Sequence, residues 1–164
     1  MNTAEYKFEI SREFDAPISL VWKVYTEAEH LKNWFAGPGM DMTHCTIDLK
    51  AGGMMHYRQE GNGLVLWGRF IFKEIDEPDR LTYLSSFSNE KAEIAPNPFS
   101  GAWPAEIMNV MTLTENNGKT TVHLSAVAYN ASQEEIDGFK AANEGMNQGY
   151  IATMDKLENY LSKL

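Results

Sequence analysis

The hydrophobic positions near the C-terminus of the chain follow a helical period from Ser132 to Leu164. Ser132 and Glu135 have the spacing of a capping box, in which each side chain satisfies a backbone donor at the start of a helix. Charged side chains fall on the side opposite to the apolar ones, so the pattern predicts one long amphipathic helix with a buried face. The apolar stripe consists of Phe139, Met146, Tyr150, Leu157, Leu161 and Leu164.

A second stripe, made of small residues, runs along the same predicted helix. A glycine inside a helix costs about 1 kcal/mol relative to alanine, so several of them indicate a compensating need. Two explanations stay open: close packing of the helix backbone on a neighbour, or open volume for a ligand. The stripe consists of Gly138, Ala141, Ala142, Gly145, Gly149 and Ala152.

The preceding part of the chain alternates between apolar and polar positions and is typical of strands joined by tight turns. Turn signals such as Gly61-Asn62-Gly63 and Asn116-Asn117-Gly118 separate neighbouring strands. Strands joined in this way pair antiparallel, because parallel neighbours need long crossovers. Two short helices are predicted, Ile18–Tyr25 and Glu29–Trp34. The predicted strands are Tyr6–Phe14, Met40–Leu49, Met54–Glu60, Leu64–Ile75, Arg80–Ser88, Ala105–Glu115 and Thr120–Tyr129.

This order of elements predicts an α+β fold. A curved antiparallel sheet of six or seven strands would wrap around the long C-terminal helix, with two short helices after the first strand. The helix is the only predicted element large enough to cover the sheet, so the space between them is the expected functional site. A length of 164 residues with 43% apolar content fits one domain over residues 1–164.

One connection, the sixteen residues Asn89–Pro104, is too long for a turn. Loops longer than about 12 to 15 residues in a compact domain are usually functional or disordered. Phe99 and Trp103 favour order, because exposed aromatic side chains are poorly solvated. The segment is therefore predicted to be a lid over one end of the cavity, and an inert surface loop remains the alternative.

The net charge of −9 and the pI near 4.9 oppose a nucleic-acid partner and docking to an anionic membrane, since both depend on clustered basic residues. No apolar stretch approaches the roughly 20 residues that span a bilayer. The first ten residues lack the basic and apolar regions of a secretory signal, so a cytoplasmic location is expected.

No motif in the sequence predicts a metal, a cofactor or a catalytic residue. The lone cysteine, Cys45, excludes an internal disulfide, and the adjacent His44 would point to the other face of a strand. The remaining histidines, His30, His56 and His123, lack the spacing of a metal pair. Any catalysis would depend on residues such as His56 or Glu106 tuned by burial.

Four stretches of the chain carry a family resemblance: FEISREFDAPISLVWKVYTEAEHLKNWF, the AGG turn, GRFIFKEIDEPDRLTY and QGYIATMDKLENYL. They resemble the activator of the ninety-kilodalton heat-shock-protein ATPase homologue family, within the START-like superfamily of helix-grip proteins. Gly149 and Tyr150 fall where the family usually has glycine and tryptophan. The other matching positions are Asp15, Ala16, Pro17, Trp22, Gly52, Gly53, Gly68, Glu74, Ile75, Pro78, Arg80 and Leu81.

The resemblance implies a deep, mostly apolar cavity between sheet and helix, which the superfamily uses for lipids, sterols, hormones or polyketides. Such sites combine apolar walls with a few placed polar groups. Arg69 and Glu106 are the candidate polar contacts. The candidate wall residues are Met55, Tyr57, Trp67, Trp103, Met146 and Tyr150, and plain core packing remains the alternative for each aromatic.

We therefore expect a protein that binds a small apolar molecule without chemistry. Two alternatives stay open: modulation of a chaperone ATPase by protein contact, and cyclase-like catalysis by an acid and a base in the cavity. A closed apolar cavity, an exposed complementary patch and a converging acid–base pair, respectively, would distinguish the three. Monomer and homodimer are both compatible with the sequence.

Overall fold

A computed structural model describes residues 6–99 and 101–164 of the protein. The elements in these residues are β1 Phe8–Phe14, α1 Ile18–Thr26, α2 Ala28–Leu31, β2 Asp41–Ile47, β3 Met54–Gly61, β4 Leu64–Asp76, β5 Arg80–Ser88, β6 Glu106–Asn116, β7 Lys119–Tyr129, α3 Gln133–Ala141 and α4 Asn143–Leu161. The seven strands form one antiparallel sheet in the order β1-β7-β6-β5-β4-β3-β2. The predicted helix-grip α+β class is confirmed.

Two tight hairpins fix the strand register. Asn62 and Gly63 between β3 and β4 have φ of 53° and 75°, and Asn117 and Gly118 between β6 and β7 have φ of 54° and 78°. Positive φ at both central residues is the type I′ geometry, whose twist matches that of the flanking strands. The turn sequences therefore determine which residues face each other across these strands.

The sheet curves because two of its strand pairs are irregular. The register shifts between Met42 and His44 in the β2–β3 pair, and between Phe72 and Glu74 in the β4–β5 pair. An extra residue in one strand bends that strand and increases its twist. The concave face that results carries the main hydrophobic core.

The C-terminal helix is interrupted, which corrects the prediction of one continuous helix over 132–164. α3 and α4 meet at Ala142, whose ψ is 1°. The predicted capping box is present, with Glu135 N donating to Ser132 Oγ at 3.2 Å. Gly138 brings α3 against the preceding loop, where an added Cβ would lie 2.1 Å from the Ala102 carbonyl oxygen. α3 therefore packs against this loop, whereas α4 packs against the sheet.

The C-terminal half of α4 seals the core. Met154, Leu157 and Leu161 are buried on the concave face of the sheet. At the β1 edge, the Arg12 guanidinium donates to Asp155 Oδ1 at 2.6 Å and to Glu158 Oε1 at 2.9 Å. These contacts fix the position of the whole helix relative to the sheet.

We expect Leu157→Ala to lower the free energy of unfolding by about 2–5 kcal/mol, because it removes a fully buried side chain and leaves a cavity. Ile151→Ala on the same helix is the matched control, since Ile151 is 44% exposed. Its effect should stay within about 0.5 kcal/mol. Urea titration followed by circular dichroism measures both, and equal effects would contradict this assignment of the buried face.

Candidate functional site

The N-terminal half of α4 leaves space between itself and the sheet. An added Cβ at Gly149 would meet no atom within 4 Å. Gly149, Met146 and Tyr150 form one side of an open groove of about 470 Å³, and the segment after α2 and strands β3, β4 and β5 form the others. This volume lies within the range of about 300–1,000 Å³ that small-molecule sites occupy.

Below the groove lies a smaller void of about 50 Å³ inside the core. Phe35, Tyr150 and Thr153 line both spaces, so their side chains form the partition between them. A side recess of about 200 Å³ under Trp103 shares Met146 and Tyr150 with the groove. Tyr150 therefore stands where all three spaces meet.

Aromatic rings form the wall that separates the groove from the void. The Phe35 ring makes edge contacts with Tyr57 and Phe70, at centroid distances of 5.4 and 5.8 Å. Tyr83 stacks on Phe70 with the ring centroids 4.2 Å apart. Perpendicular and stacked rings at these distances attract one another, so this wall is held in place by its own packing.

Side chains of α4 also hold the segment that forms the outer wall. Lys156 Nζ donates to the carbonyl oxygens of Gly37 at 2.9 Å and Met40 at 3.0 Å. Thr153 Oγ1 donates to the Ala36 carbonyl at 3.3 Å. One helix therefore carries one side of the groove and positions the other.

Four tyrosines supply hydroxyl groups along this path. Tyr57 lines the groove, Tyr25 and Tyr83 line the void, and Tyr150 lines both. Burial raises the pKa of all four, that of Tyr150 to about 12, so their hydroxyls stay protonated at neutral pH. They are neutral hydrogen-bond donors in mostly apolar surroundings.

Five of the eight predicted wall and contact residues line these spaces. Met55 borders the void, Tyr57 and Met146 border the groove and the recess, Trp103 borders the recess, and Tyr150 borders all three. Trp103 also packs its ring edge against Phe139 of α3 at a centroid distance of 5.5 Å. The structure thus places four of these side chains around the groove and the recess, and Met55 behind them at the void.

Trp67, Arg69 and Glu106 lie on the convex face, which corrects their assignment to the cavity. Successive side chains of a strand point to opposite faces, and in β4 the concave positions include Gly68 and Phe70. Trp67 stacks on the His56 ring at 4.9 Å. Arg69 Nη1 donates to the Ala92 carbonyl at 2.8 Å and so anchors the loop after β5. In β6, Ile107 faces the recess and Glu106 points away from it.

The sequence interpretation missed Phe35, Phe70, Tyr25 and Tyr83. Strand register would have found Phe70, because it pairs with Met55 across the hairpin. Tyr25 on α1 and Phe35 after α2 reach the site only through tertiary packing. No local pattern in the sequence indicates that Tyr25 or Phe35 belongs to the site.

The groups considered for catalysis do not meet at this site. Burial raises the pKa of the Cys45 thiol to about 11, and His44 and His56 contact each other on the convex face. Within residues 6–99 and 101–164, no carboxylate, imidazole, ammonium or guanidinium lines the groove, void or recess. The same residues contain no group of three or more potential metal ligands.

No helix in the described part of the chain is long and apolar enough to cross a bilayer.

The curved sheet, the C-terminal helix and the opening between them define a helix-grip protein. Residues 15–162 match the family described as Activator of Hsp90 ATPase homolog 1-like protein. The chain belongs to this family, which confirms the resemblance seen in its sequence. No curated protein matches the chain.

Solved structures from several bacteria share the fold. Protein Ms6760 from Mycobacterium smegmatis is 26% identical with a TM-score of 0.77, and the match covers 94% of this chain and 90% of that one. A protein from Arthrobacter aurescens is 25% identical with a TM-score of 0.78, covering 96% and 87%. Protein NE0264 from Nitrosomonas europaea is 25% identical with a TM-score of 0.71, covering 99% and 97%.

We expect Gly68→Ala to displace the Tyr57 ring, because an added Cβ would lie 2.4 Å from Tyr57 Oη and 2.5 Å from its Cζ. Overpacking of this kind costs about 1–3 kcal/mol of unfolding free energy. Gly101→Ala is the control, since its Cβ would meet no atom within 4 Å. Denaturant unfolding and near-ultraviolet circular dichroism of the two variants test this contact, and indistinguishable results would contradict it.

Proposed function

We propose that the protein binds one small, mainly apolar molecule in the groove between α4 and the concave face of the sheet, without converting it. The observation that carries the proposal is the open, apolar volume beside Gly149. A glycine inside a helix makes the helix less stable than an alanine would, by about 1 kcal/mol. That cost is offset if the position has to stay empty for a ligand.

The chemistry of the lining favours binding over catalysis. General acid–base catalysis needs a group whose pKa lies near the working pH. The titratable side chains that line the groove and the void are the four tyrosines, with pKa values raised by burial. They hold their protons at neutral pH, and the described residues of the lining supply no base to work with them. This argues against the cyclase-like alternative.

Protein contact with a chaperone is the second candidate, and it rests on the family description, which names activation of the Hsp90 ATPase. This function would use an exterior surface and not the groove. A variant that fills the groove should then leave ATPase stimulation unchanged. The two candidates therefore respond differently to the same substitution.

The proposal treats residues 1–164 as one domain that acts in the cytoplasm. The family match over residues 15–162 supports one domain. The single cysteine, buried and without a disulfide partner, fits a reducing compartment. The acidic net charge of −9 gives no basis for a nucleic-acid partner.

The test is binding of N-phenyl-1-naphthylamine, a neutral dye that fluoresces in apolar sites. We expect saturable, one-to-one binding to the unmodified protein and a loss of at least about tenfold in affinity for Gly149→Leu, because the new side chain enters the groove. A change of about 1.4 kcal/mol in binding energy is sufficient for this.

Gly145→Leu is the matched control on the same helix. Gly145 is exposed, and an added Cβ there also meets no atom within 4 Å. Both substitutions should raise the unfolding free energy by up to about 1 kcal/mol, since leucine is the better helix former. Equal dye binding by the two variants would contradict the groove as the binding site.

A further inference from the structure

A second opening lies at the end of α4 that is farther from the groove. It is a polar pocket of about 440 Å³, formed by the last turns of α4 and by the segment that follows α2. None of its described lining residues also lines the groove, the void or the recess. The lining consists of Asn33, Lys156, Asn159, Tyr160, Lys163 and Leu164.

The Tyr160 hydroxyl in this polar pocket contacts a histidine that can take its proton. The hydroxyl oxygen lies 2.7 Å from His30 Nδ1, and the other ring nitrogen, Nε2, lies 3.8 Å from Glu27 Oε1. The carboxylate favours the tautomer that carries hydrogen on Nε2, because its negative charge attracts the N–H. Nδ1 then has the lone pair, and the Tyr160 hydroxyl donates to it.

This arrangement contains the three parts of an activated nucleophile. In such a site a nucleophile and a base lie within hydrogen-bond distance, and a third group orients the base. Tyr160 is the nucleophile, His30 the base and Glu27 the positioning residue. The Asn33 amide is a weak donor 3.5 Å from the Tyr160 oxygen, where negative charge develops as the proton leaves. Because Tyr160 lines the polar pocket, a small molecule bound there reaches this oxygen.

The charge of the lining favours an anion. Lys156 and Lys163 stand one helical turn before and after Tyr160, on the same face of the helix. Neither lysine forms an ion pair with another described residue. Lys156 Nζ donates only to backbone carbonyls, those of residues 36, 37 and 40, and Lys163 is exposed. In a chain with a net charge of −9, these two uncompensated cations attract small anions to the pocket.

We propose that Tyr160 accepts the acyl group of a small acyl phosphate that binds in the polar pocket, with its phosphate against Lys156 and Lys163. The Tyr160 oxygen attacks the carbonyl carbon, and its proton passes to His30 Nδ1. The bond between the carbonyl carbon and the bridging oxygen breaks, and phosphate leaves with the electron pair. The product is an O-acyl tyrosine at position 160.

Electrostatics decide between the two electrophilic atoms of an acyl phosphate. A phenol oxygen that approaches phosphorus as it loses its proton is repelled by the negatively charged phosphate oxygens. The carbonyl group is uncharged, so its carbon is the favoured point of attack. The two lysines stabilise the negative charge on the departing phosphate.

The experiment treats the full chain with acetyl phosphate and follows the masses of its peptides over time. We expect Tyr160 to gain an acetyl group at least about tenfold faster than Tyr129, which is 40% exposed and has no histidine partner among the described residues. His30→Gln should slow the acetylation of Tyr160 at least about tenfold, because it removes the base. His123→Gln, on β7, is the matched control and should leave the rate unchanged.

A neutral reagent separates the anion site from the nucleophile. Lys163→Met should slow acetylation of Tyr160 by acetyl phosphate at least about threefold, because it removes a cation that attracts the phosphate. The same variant should react with uncharged N-acetylimidazole as fast as the unmodified protein does. Lys119→Met, an exposed position at the start of β7, is the control and should keep the unmodified rate with both reagents.

Three results would overturn this inference. Equal rates at Tyr160 and Tyr129 in the unmodified protein, or an unchanged rate in a folded His30→Gln variant, would overturn the nucleophile. Transfer of the phosphoryl group would overturn the carbonyl carbon as the point of attack. Equal slowing of both reagents by Lys163→Met would overturn the anion site. The groove takes no part in these reactions, so each result leaves the proposed function to its own test.

Discussion

The structure depends on how α4 meets the concave face of the sheet. Its C-terminal half is packed into the core through Met154, Leu157 and Leu161. A helix is stiff over this length, so the packed half determines where the other half lies. Because that other half carries glycine at position 149, it faces the sheet across open space. The core and the groove are two consequences of one helix position.

The same helix controls the far wall of the groove. Lys156 and Thr153 bind carbonyl oxygens of residues 36, 37 and 40, and the Phe35 ring that precedes them closes the path to the interior void. The width of the opening is thus set by hydrogen bonds to α4 and by the packing of Phe35 on Tyr57 and Phe70. Any movement that joins groove and void has to displace Phe35 or Tyr150.

The fold could be predicted from the sequence because its strongest signals are local. The capping box at Ser132 and the Asn-Gly turns after Gly61 and Asn116 act over a few residues and agree with the hydrophobic period. The break at Ala142 could not be predicted, because the residues on both sides favour a helix. The direction of α3 is set by its contact with Ala102.

Only part of the candidate site could be predicted from the sequence. With Gly61 opposite Leu64, Tyr57 pairs with Gly68. Trp67 and Arg69 therefore point to the face opposite to Tyr57. The strand register alone thus excludes that these three residues line the same wall. Tyr25 and Phe35 could not be assigned in this way, because they reach the site only through packing between elements far apart in the sequence.

The most direct test of the account is native mass spectrometry of the protein purified from its own cells, followed by denaturation to identify what is released. We expect one equivalent of a small, mainly apolar molecule on the unmodified protein and on Gly145→Leu, and none on Gly149→Leu. A bound molecule retained equally by both variants, or a protein that carries nothing in any form, would contradict the claim that this groove is a ligand site.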